Sequence, residues 1–278
     1  METPDSEPDR YAVVGHPVEH SRSAVIHKFF ARQTGQHITY ELIDAAPAYF
    51  ETAVRGFGAA GGKGLNITIP HKEAAFGIAT ELGPEAKRAQ AVNTLTFLSN
   101  TRYRGDNTDG IGLLRDLTVN HGQEVAAKRI LILGAGGAAR GIVTPLLDLG
   151  PAELVLANRT LARAETLVAE LELGGQVETC DFDALANRAP FDLLINATSA
   201  GLRGEQPPFP ASCLGPGSFC YDLVYGLKDT PFVLWSREHG AGTAVPGWGM
   251  LVEQAAESFL IWRGVRPDTA PILEQIST

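Results

Sequence analysis

The sequence predicts an α/β protein in two domains, and three observations predict it. From residue 129 onward, short apolar runs alternate with helix-capable stretches, the texture of a parallel, doubly wound sheet. At 130–140 one such run enters a glycine-rich turn and a helix-capable segment leaves it. Finally, 278 residues with 44% hydrophobic and 20% charged content can bury two cores of the commonest domain size.

Composition excludes several classes. A formal charge of −9 is wrong for a nucleic-acid partner, because phosphate neutralisation needs clustered Lys and Arg. An anionic ligand must therefore be captured by local groups. Cys180, Cys213 and Cys220 have no metal-ligand spacing and an odd count, so they read as reduced thiols with no metal bound. The acidic start at 1–9 lacks the apolar run of a signal peptide or anchor, and no stretch is long enough to span a bilayer. A cytoplasmic protein without a membrane partner is expected.

In chain order, 11–14 reads as a strand broken by Gly15 and Pro17. A helix follows with Ile26, Phe29 and Phe30 on one face, and Ser21 and Ser23 stand where its N-cap is expected. Two hydroxyls at a helix start cap it, or suit a bound carboxylate. Next come a strand at 38–43, a helix at 47–55 and a glycine-rich connection at 56–64. The run 65–69 alternates apolar and polar residues up to Pro70, which puts Asn66 and Thr68 on one side of a strand, and Lys72 opens the next helix. Polar groups gather there at a strand end, where open α/β sheets place ligands. A strand at 91–97 carries Asn93. The segment 105–110, Gly-Asp-Asn-Thr-Asp-Gly, reads as caps and turns before a helix from 111 to about 121. The domain boundary falls in that helix.

The second half is predicted to contain strands at 130–133, 154–157, 177–180, 191–196 and 218–224. Helices are predicted at 138–148, 161–173, 182–189 and 231–239. In Gly134-Ala135-Gly136-Gly137-Ala138-Ala139, Gly134 permits the tight turn. Gly136 lets a pyrophosphate approach the backbone, and Ala139 lets helix pack on strand. The helix N-terminus offers its free N–H groups to phosphate. This is the Rossmann-type dinucleotide pattern. NAD sites place Asp or Glu about 20 residues on. Here Asn158-Arg159-Thr160, with Arg163 a turn later, offers two guanidiniums instead, which favours a 2′-phosphate and hence NADP. Helices are predicted at 251–263 and between 268 and 276, with Gln254 one turn into the first.

Taken together, the segments 15–23 (Gly-His-Pro-Val-Glu-His-Ser-Arg-Ser), 65–72 (Leu-Asn-Ile-Thr-Ile-Pro-His-Lys), 91–94 (Ala-Val-Asn-Thr) and 105–110 resemble, in order, those of shikimate dehydrogenases. Residues 134–140, 158–160, 196–198 and 249–255 continue the resemblance, which covers nearly all of 11–263. It implies reversible NADPH-dependent reduction of 3-dehydroshikimate to shikimate, in aromatic amino-acid biosynthesis. It implies Lys72 and Asp109 as the catalytic pair, Ser21 and Ser23 on the substrate carboxylate, and Asn66, Thr68, Asn93, Tyr225 and Gln254 around the ring hydroxyls. NADP would be held by Gly134, Ala135, Gly136, Gly137, Ala138, Asn158, Arg159, Thr160, Arg163, Thr198 and Gly249. The implied order is a substrate domain at 10–112, completed by 250–278, and an NADP domain at 113–249, in a monomer or homodimer.

Hydride transfer to or from carbon leaves a proton to be handled on oxygen, which suits Lys72. Burial favours its neutral amine and Asp109 favours its ammonium, and the sequence leaves that balance open. His16, Ala24, Gly226-Leu227 and Pro246 depart from the family's usual pattern at positions that shape the pocket rim. A paralogue acting on quinate or an amino-substituted shikimate is therefore the rival reading. A folate dehydrogenase would leave the Ser21/Ser23 pair without a role. A non-catalytic NADP-binding regulator would have no use for Lys72 and Asp109 together.

Overall fold

A computed structural model describes residues 7–226 and 228–276. Residues 1–6, Leu227 and 277–278 lie outside the described residues; with them go most of the acidic start, half of the Gly226-Leu227 departure and the last two residues of the predicted substrate domain. The chain falls into two compact units: residues up to 112 together with 251–276, and residues 113–250.

The first unit contains β1 (Asp9–Gly15), α1 (Ser23–Thr34), β2 (Ile38–Asp44), α2 (Phe50–Ala59), β3 (Gly62–Ile67), α3 (Lys72–Ile78), β4 (Glu81–Leu82), α4 (Pro84–Ala89), β5 (Thr94–Ser99), β6 (Arg102–Asp106) and the start of α5 (Asp109–Arg115). Its mixed sheet has the order β2-β1-β3-β5-β6-β4, with β5 antiparallel to both neighbours. Alternation in β1 fills both faces: Ala12 and Val14 meet Phe50 and Val54 of α2, while Tyr11 and Val13 pack with Tyr40 on the other side.

In the second unit lie β7 (Arg129–Leu133), α6 (Gly137–Asp148), β8 (Glu153–Ala157), α7 (Leu161–Glu170), β9 (Glu178–Cys180), β10 (Leu193–Asn196), β11 (Phe219–Asp222), α8 (Pro231–Glu238) and β12 (Thr243–Pro246). All six strands are parallel, in the order β12-β11-β10-β7-β8-β9. That order reverses between β7 and β10, which is the doubly wound arrangement with its switch point after Leu133 and Asn196. Ile130 and Ile132 face one core and Leu131 and Leu133 the other, as expected of strands covered on both sides. The chain then runs through α9 (Trp248–Arg263) and α10 (Ala270–Ile276). Val252, Ala255, Ala256 and Phe259 pack on Ile26 and Phe30 of α1, so the C-terminal helix completes the first unit.

Several local expectations change. The glycine-rich connection is partly helix: α2 continues through Gly56 and Gly58, because Val54 and Phe57 bury one face and the Phe97 ring fills the space beside Gly58. β6 ends inside the segment 105–110 expected to form caps and turns, its pairing with β5 carrying the strand through Gly105 and Asp106. The helix expected to reach about residue 121 widens into a π-helical turn at Asp116–Asn120. The predicted helix at 182–189 is only a 3-10 turn, Asp183–Asn187. The three cysteines are buried free thiols, and among the described residues no helix is long and apolar enough to cross a membrane.

Candidate active site

Lys72 owes its position to the turn after β3. Pro70 ends the strand, the His71 N–H donates to Thr68 O, and the Lys72 carbonyl accepts from Val92 N at 2.9 Å. His71 is pinned as well, its ring stacked on Phe50 at 4.6 Å and its Nε2 donating to Ala45 O at 2.7 Å. Burial pushes this imidazole below its usual range. Lys72 Nζ then lies 2.5 Å from Asp109 Oδ2, with side-chain exposures of 13% and 4%. A buried ion pair of this kind needs further hydrogen bonds to be tolerated. Asp109 has them: Asn93 Nδ2 donates to Oδ1 at 2.9 Å, and the Asp109 N–H donates to Asn107 Oδ1 at 3.0 Å.

Asn93 is the centre of a wider network. Its Oδ1 accepts from the Thr108 N–H and the Thr94 hydroxyl, both at 2.9 Å. Its Nδ2 also donates to Thr108 Oγ1 at 2.9 Å and lies 3.3 Å from Gln254 Oε1. Gln254 donates from Nε2 to Leu251 O at 2.8 Å, and its carbonyl accepts from Thr108 Oγ1 at 3.0 Å. Asn66 accepts from Tyr40 at 2.7 Å, and donates to Ser258 Oγ at 3.0 Å and to Asn93 O at 3.3 Å. Lys72, Asp109, Asn93, Gln254 and Asn66 thus form one bonded cluster.

Three further predicted substrate residues of the first unit make no bond to that cluster among the described residues. Neither Ser21 nor Ser23 is the N-cap residue of α1. That position is Arg22, which makes no side-chain cap, and the serine hydroxyls bond each other at 3.1 Å. Thr68, just past β3, makes no side-chain hydrogen bond among the described residues. Tyr225 belongs to the second unit, where its ring packs on Trp248 at 4.7 Å. Sequence reasoning missed Tyr40, Thr94, Thr108 and Ser258 as network members. Thr94 and Thr108 were inside the quoted motifs, and Ser258 is one turn beyond Gln254 on the same helix face.

In the second unit, strand ends Leu133, Ala157, Asn196 and Asp222 lie in register, so the loops that follow them leave one edge together. Gly134 takes φ +102°, and its N–H donates to Ala157 O at 2.7 Å. Gly136 precedes α6 without a side-chain cap, and a Cβ there would meet nothing within 4 Å. As first-turn groups, the N–H groups of Gly137 and Ala138 have no acceptor within the helix, and Ala135 is half-buried before them. Asn158 Nδ2 closes its turn onto Thr160 O at 2.8 Å. Arg159 and Arg163 are exposed, and neither joins an ion pair among the described residues. Thr198 donates from both N and Oγ1 to Asn196 Oδ1, and Asn196 donates to Asp222 Oδ1 at 3.0 Å. Burial pushes the Asp222 carboxyl up to about 6, against the bonds from Thr230, Val224 and Asn196. These features fit a pyrophosphate at α6 and a 2′-phosphate near Arg159. Gly249 has a different local reason for its missing side chain: a Cβ would overlap the Asp116 carboxylate.

Comparison with known proteins follows the same division. Family models match residues 13–95 as the shikimate dehydrogenase substrate binding domain, 116–203 as shikimate / quinate 5-dehydrogenase, and 247–276 as the shikimate 5′-dehydrogenase C-terminal domain. A relative from Alkalilimnicola ehrlichii named shikimate dehydrogenase (NADP(+)) is 57% identical over 265 residues, 95% of this chain and 97% of its own. Among solved structures, an Ael1 enzyme from Pseudomonas putida superposes with a TM-score of 0.87 at 44% identity, covering 97% of this chain and 98% of that one. A shikimate 5-dehydrogenase from Thermus thermophilus, in complex with NADP(H) and shikimate, gives 0.84 at 32% identity, covering 97% and 100%.

Proposed function

The chain belongs to the shikimate dehydrogenase family, and from that premise we propose that it catalyses the reversible NADPH-dependent reduction of 3-dehydroshikimate to shikimate, a step towards the aromatic amino acids. The observation that carries this reading is the buried Lys72–Asp109 pair, 2.5 Å apart and held from behind by Asn93. NADPH, when bound, supplies the hydride, and NADP+ accepts it in the reverse direction.

The protein's part is the proton and the positioning. In reduction, the Lys72 ammonium donates a proton to the oxygen on the carbon that becomes the alcohol; in oxidation, the Lys72 amine accepts the hydroxyl proton. Asp109 holds Nζ in place and balances the ammonium charge in a site closed to most solvent. We assign the substrate carboxylate to Ser21 and Ser23, and a ring hydroxyl to Thr68, whose own hydroxyl has no protein partner among the described residues. Asn93, Gln254, Asn66 and Tyr225 complete the assignment. Of these, Asn66 acts largely by holding its neighbours, since Tyr40, Ser258 and Asn93 O already engage its polar atoms.

For the cofactor, we assign the pyrophosphate to the loop from Gly134 to Ala138 and the 2′-phosphate to Arg159 and Arg163, with Asn158 and Thr160 shaping the turn between them. We assign Thr198 and Gly249 to the cofactor site as well, Thr198 following the strand end at Asn196 and Gly249 sized by the Asp116 carboxylate. The charge of −9 supports a small-molecule partner over nucleic acid, and we place the reaction in the cytoplasm of the cell, carried out by a monomer or homodimer.

The test is a crossed assay at the reduced-nicotinamide absorbance band, pairing shikimate or quinate with NADP+ or NAD+. The reading expects the fastest reduction with shikimate and NADP+. Appreciable turnover only with quinate and NAD+ overturns both the substrate and the cofactor.

A further inference from the structure

Behind Asn93 and Asp109 lies a set of buried hydroxyls that the reaction itself does not use. Ser258 on α9 and Thr94 at the start of β5 are both fully buried. Ser258 Oγ lies 2.7 Å from Thr94 Oγ1 and 3.0 Å from Asn66 Nδ2, and Thr94 Oγ1 lies 2.9 Å from Asn93 Oδ1. Buried polar groups such as these must be satisfied, so the hydrogens can be counted.

The count has one fixed point. The Thr108 backbone N–H can only donate, and it donates to Asn93 Oδ1, so that atom is the amide oxygen and can accept from Thr94 as well. Thr94 directs its single hydrogen to Asn93 Oδ1 at 2.9 Å or to Ser258 Oγ at 2.7 Å, and Ser258 directs its own to Thr94 Oγ1 or to Gln254 O at 3.1 Å. Ser258 in turn accepts from Asn66 Nδ2, while Asn66 Oδ1 takes the Tyr40 hydroxyl at 2.7 Å. The result is a bonded chain from Asn66 Nδ2 through Ser258 Oγ and Thr94 Oγ1 to Asn93 Oδ1. The Thr108 N–H sets the orientation of the Asn93 amide, and the chain ties both amides to the Ser258 and Thr94 hydroxyls. The two hydrogens of Asn93 Nδ2 are shared among Thr108 Oγ1 and Asp109 Oδ1, both at 2.9 Å, and Gln254 Oε1 at 3.3 Å.

We propose that Ser258 and Thr94 are positioning residues, whose hydroxyls fix the Asn66 and Asn93 amides and, through Asn93, the Asp109 carboxylate that holds Lys72. The proposal rests on the functional reading above, in that Lys72 and Asp109 are the groups that meet the substrate. Without the Thr94 and Ser258 hydroxyls, the Asn93 amide oxygen keeps the Thr108 N–H at 2.9 Å and the Thr108 hydroxyl at 3.2 Å but loses the Thr94 tether at 2.9 Å. Asp109 is then held less firmly at the moment the proton moves.

Three variants test it: Thr94→Val, which keeps the shape and removes the hydroxyl; Thr94→Ser, which keeps the hydroxyl and removes a methyl; and Ser258→Ala. Shikimate oxidation with NADP+ is measured per molecule of folded enzyme, with melting temperature recorded alongside. The expected result is a kcat about tenfold lower in Thr94→Val and Ser258→Ala, within about threefold of wild type in Thr94→Ser, and an NADP+ KM changed by less than about twofold in all three. A purely structural role instead predicts lower melting temperatures with kcat retained. Hydroxyl-less variants with kcat within about twofold of wild type overturn the proposal, and so does a Thr94→Ser as impaired as Thr94→Val. If the wild type itself fails to oxidise shikimate, the functional reading falls and takes the proposal with it. An active wild type with indifferent variants sinks the positioning role alone.

Discussion

Asn93 aims its amide nitrogen at Asp109 Oδ1, 2.9 Å away, because the Thr108 N–H holds its amide oxygen at the same distance on the other side. A neutral donor thus braces a carboxylate whose second oxygen holds Lys72. Replacing it by the near-isosteric Asn93→Asp puts two carboxylates in contact, and such a pair favours sharing one proton over ionising twice. The variant is expected to lose about tenfold or more in kcat/KM for shikimate above neutral pH, with part of the loss recovered in mild acid. A pH–rate profile with the wild-type shape counts against this role.

The glycine loop separates two reasons for glycine. At Gly134, φ is +102° and a Cβ would come within 3.1 Å of the Ala197 carbonyl, so Gly134→Ala is expected to cost about 1–2 kcal/mol of stability. At Gly136 a Cβ meets nothing within 4 Å, so Gly136→Ala should leave the melting temperature near wild type. Its cost should appear in NADP+ affinity, weakened about tenfold, because the pyrophosphate needs the backbone uncovered. Unchanged NADP+ affinity in Gly136→Ala would falsify the pyrophosphate assignment.

Arg159 and Arg163 stand exposed and outside any ion pair among the described residues, ready for an anion. Arg159→Asp should raise the NADP+ KM about tenfold or more while changing the NAD+ KM far less, since only one of the two cofactors carries the 2′-phosphate. Equal effects on both cofactors would mean that Arg159 serves the turn and not the phosphate.

Much of this was legible in the residue order. Alternation and the glycine turn were enough for the doubly wound sheet, because strands covered on both faces and a phosphate-type turn leave strong local patterns. Lys72, Asn93 and Asp109 could be named, but their bonding could not: Asn93 meets Asp109 across 16 residues and Gln254 across 161. Such contacts are set by packing, which no local spacing encodes. The same limit hid Ser258, an ordinary helical serine until the fold sets it beside Asn66. It also hid the reason for Gly249, whose missing Cβ makes room for the Asp116 carboxylate. β6 was missed because its strand character comes from its partner β5 rather than from its own residues.

His27 offers a separate test on stability. It is fully buried, stacked on Tyr40 at 4.4 Å, and neither ring nitrogen has a hydrogen-bond partner among the described residues. Burial lowers its pKa from 6.5 to about 3. The unfolded chain therefore binds a proton that the folded chain refuses between those values. Its contribution to stability is complete above pH 6.5 and is lost as pH falls towards 3. His27→Phe removes that penalty, so its melting temperature relative to wild type should be higher at pH 5 than at pH 8, by the equivalent of about 1–2 kcal/mol. The same difference at both pH values contradicts the burial of a neutral imidazole.

The central claim is that Lys72 handles the proton in an NADP-linked oxidation of shikimate, and the most direct measurement is turnover by Lys72→Ala beside its NADP+ binding. The account predicts kcat reduced by about 10²–10⁴-fold, with NADP+ affinity within about twofold of wild type and the melting temperature little changed. Near-normal turnover in that variant would contradict it.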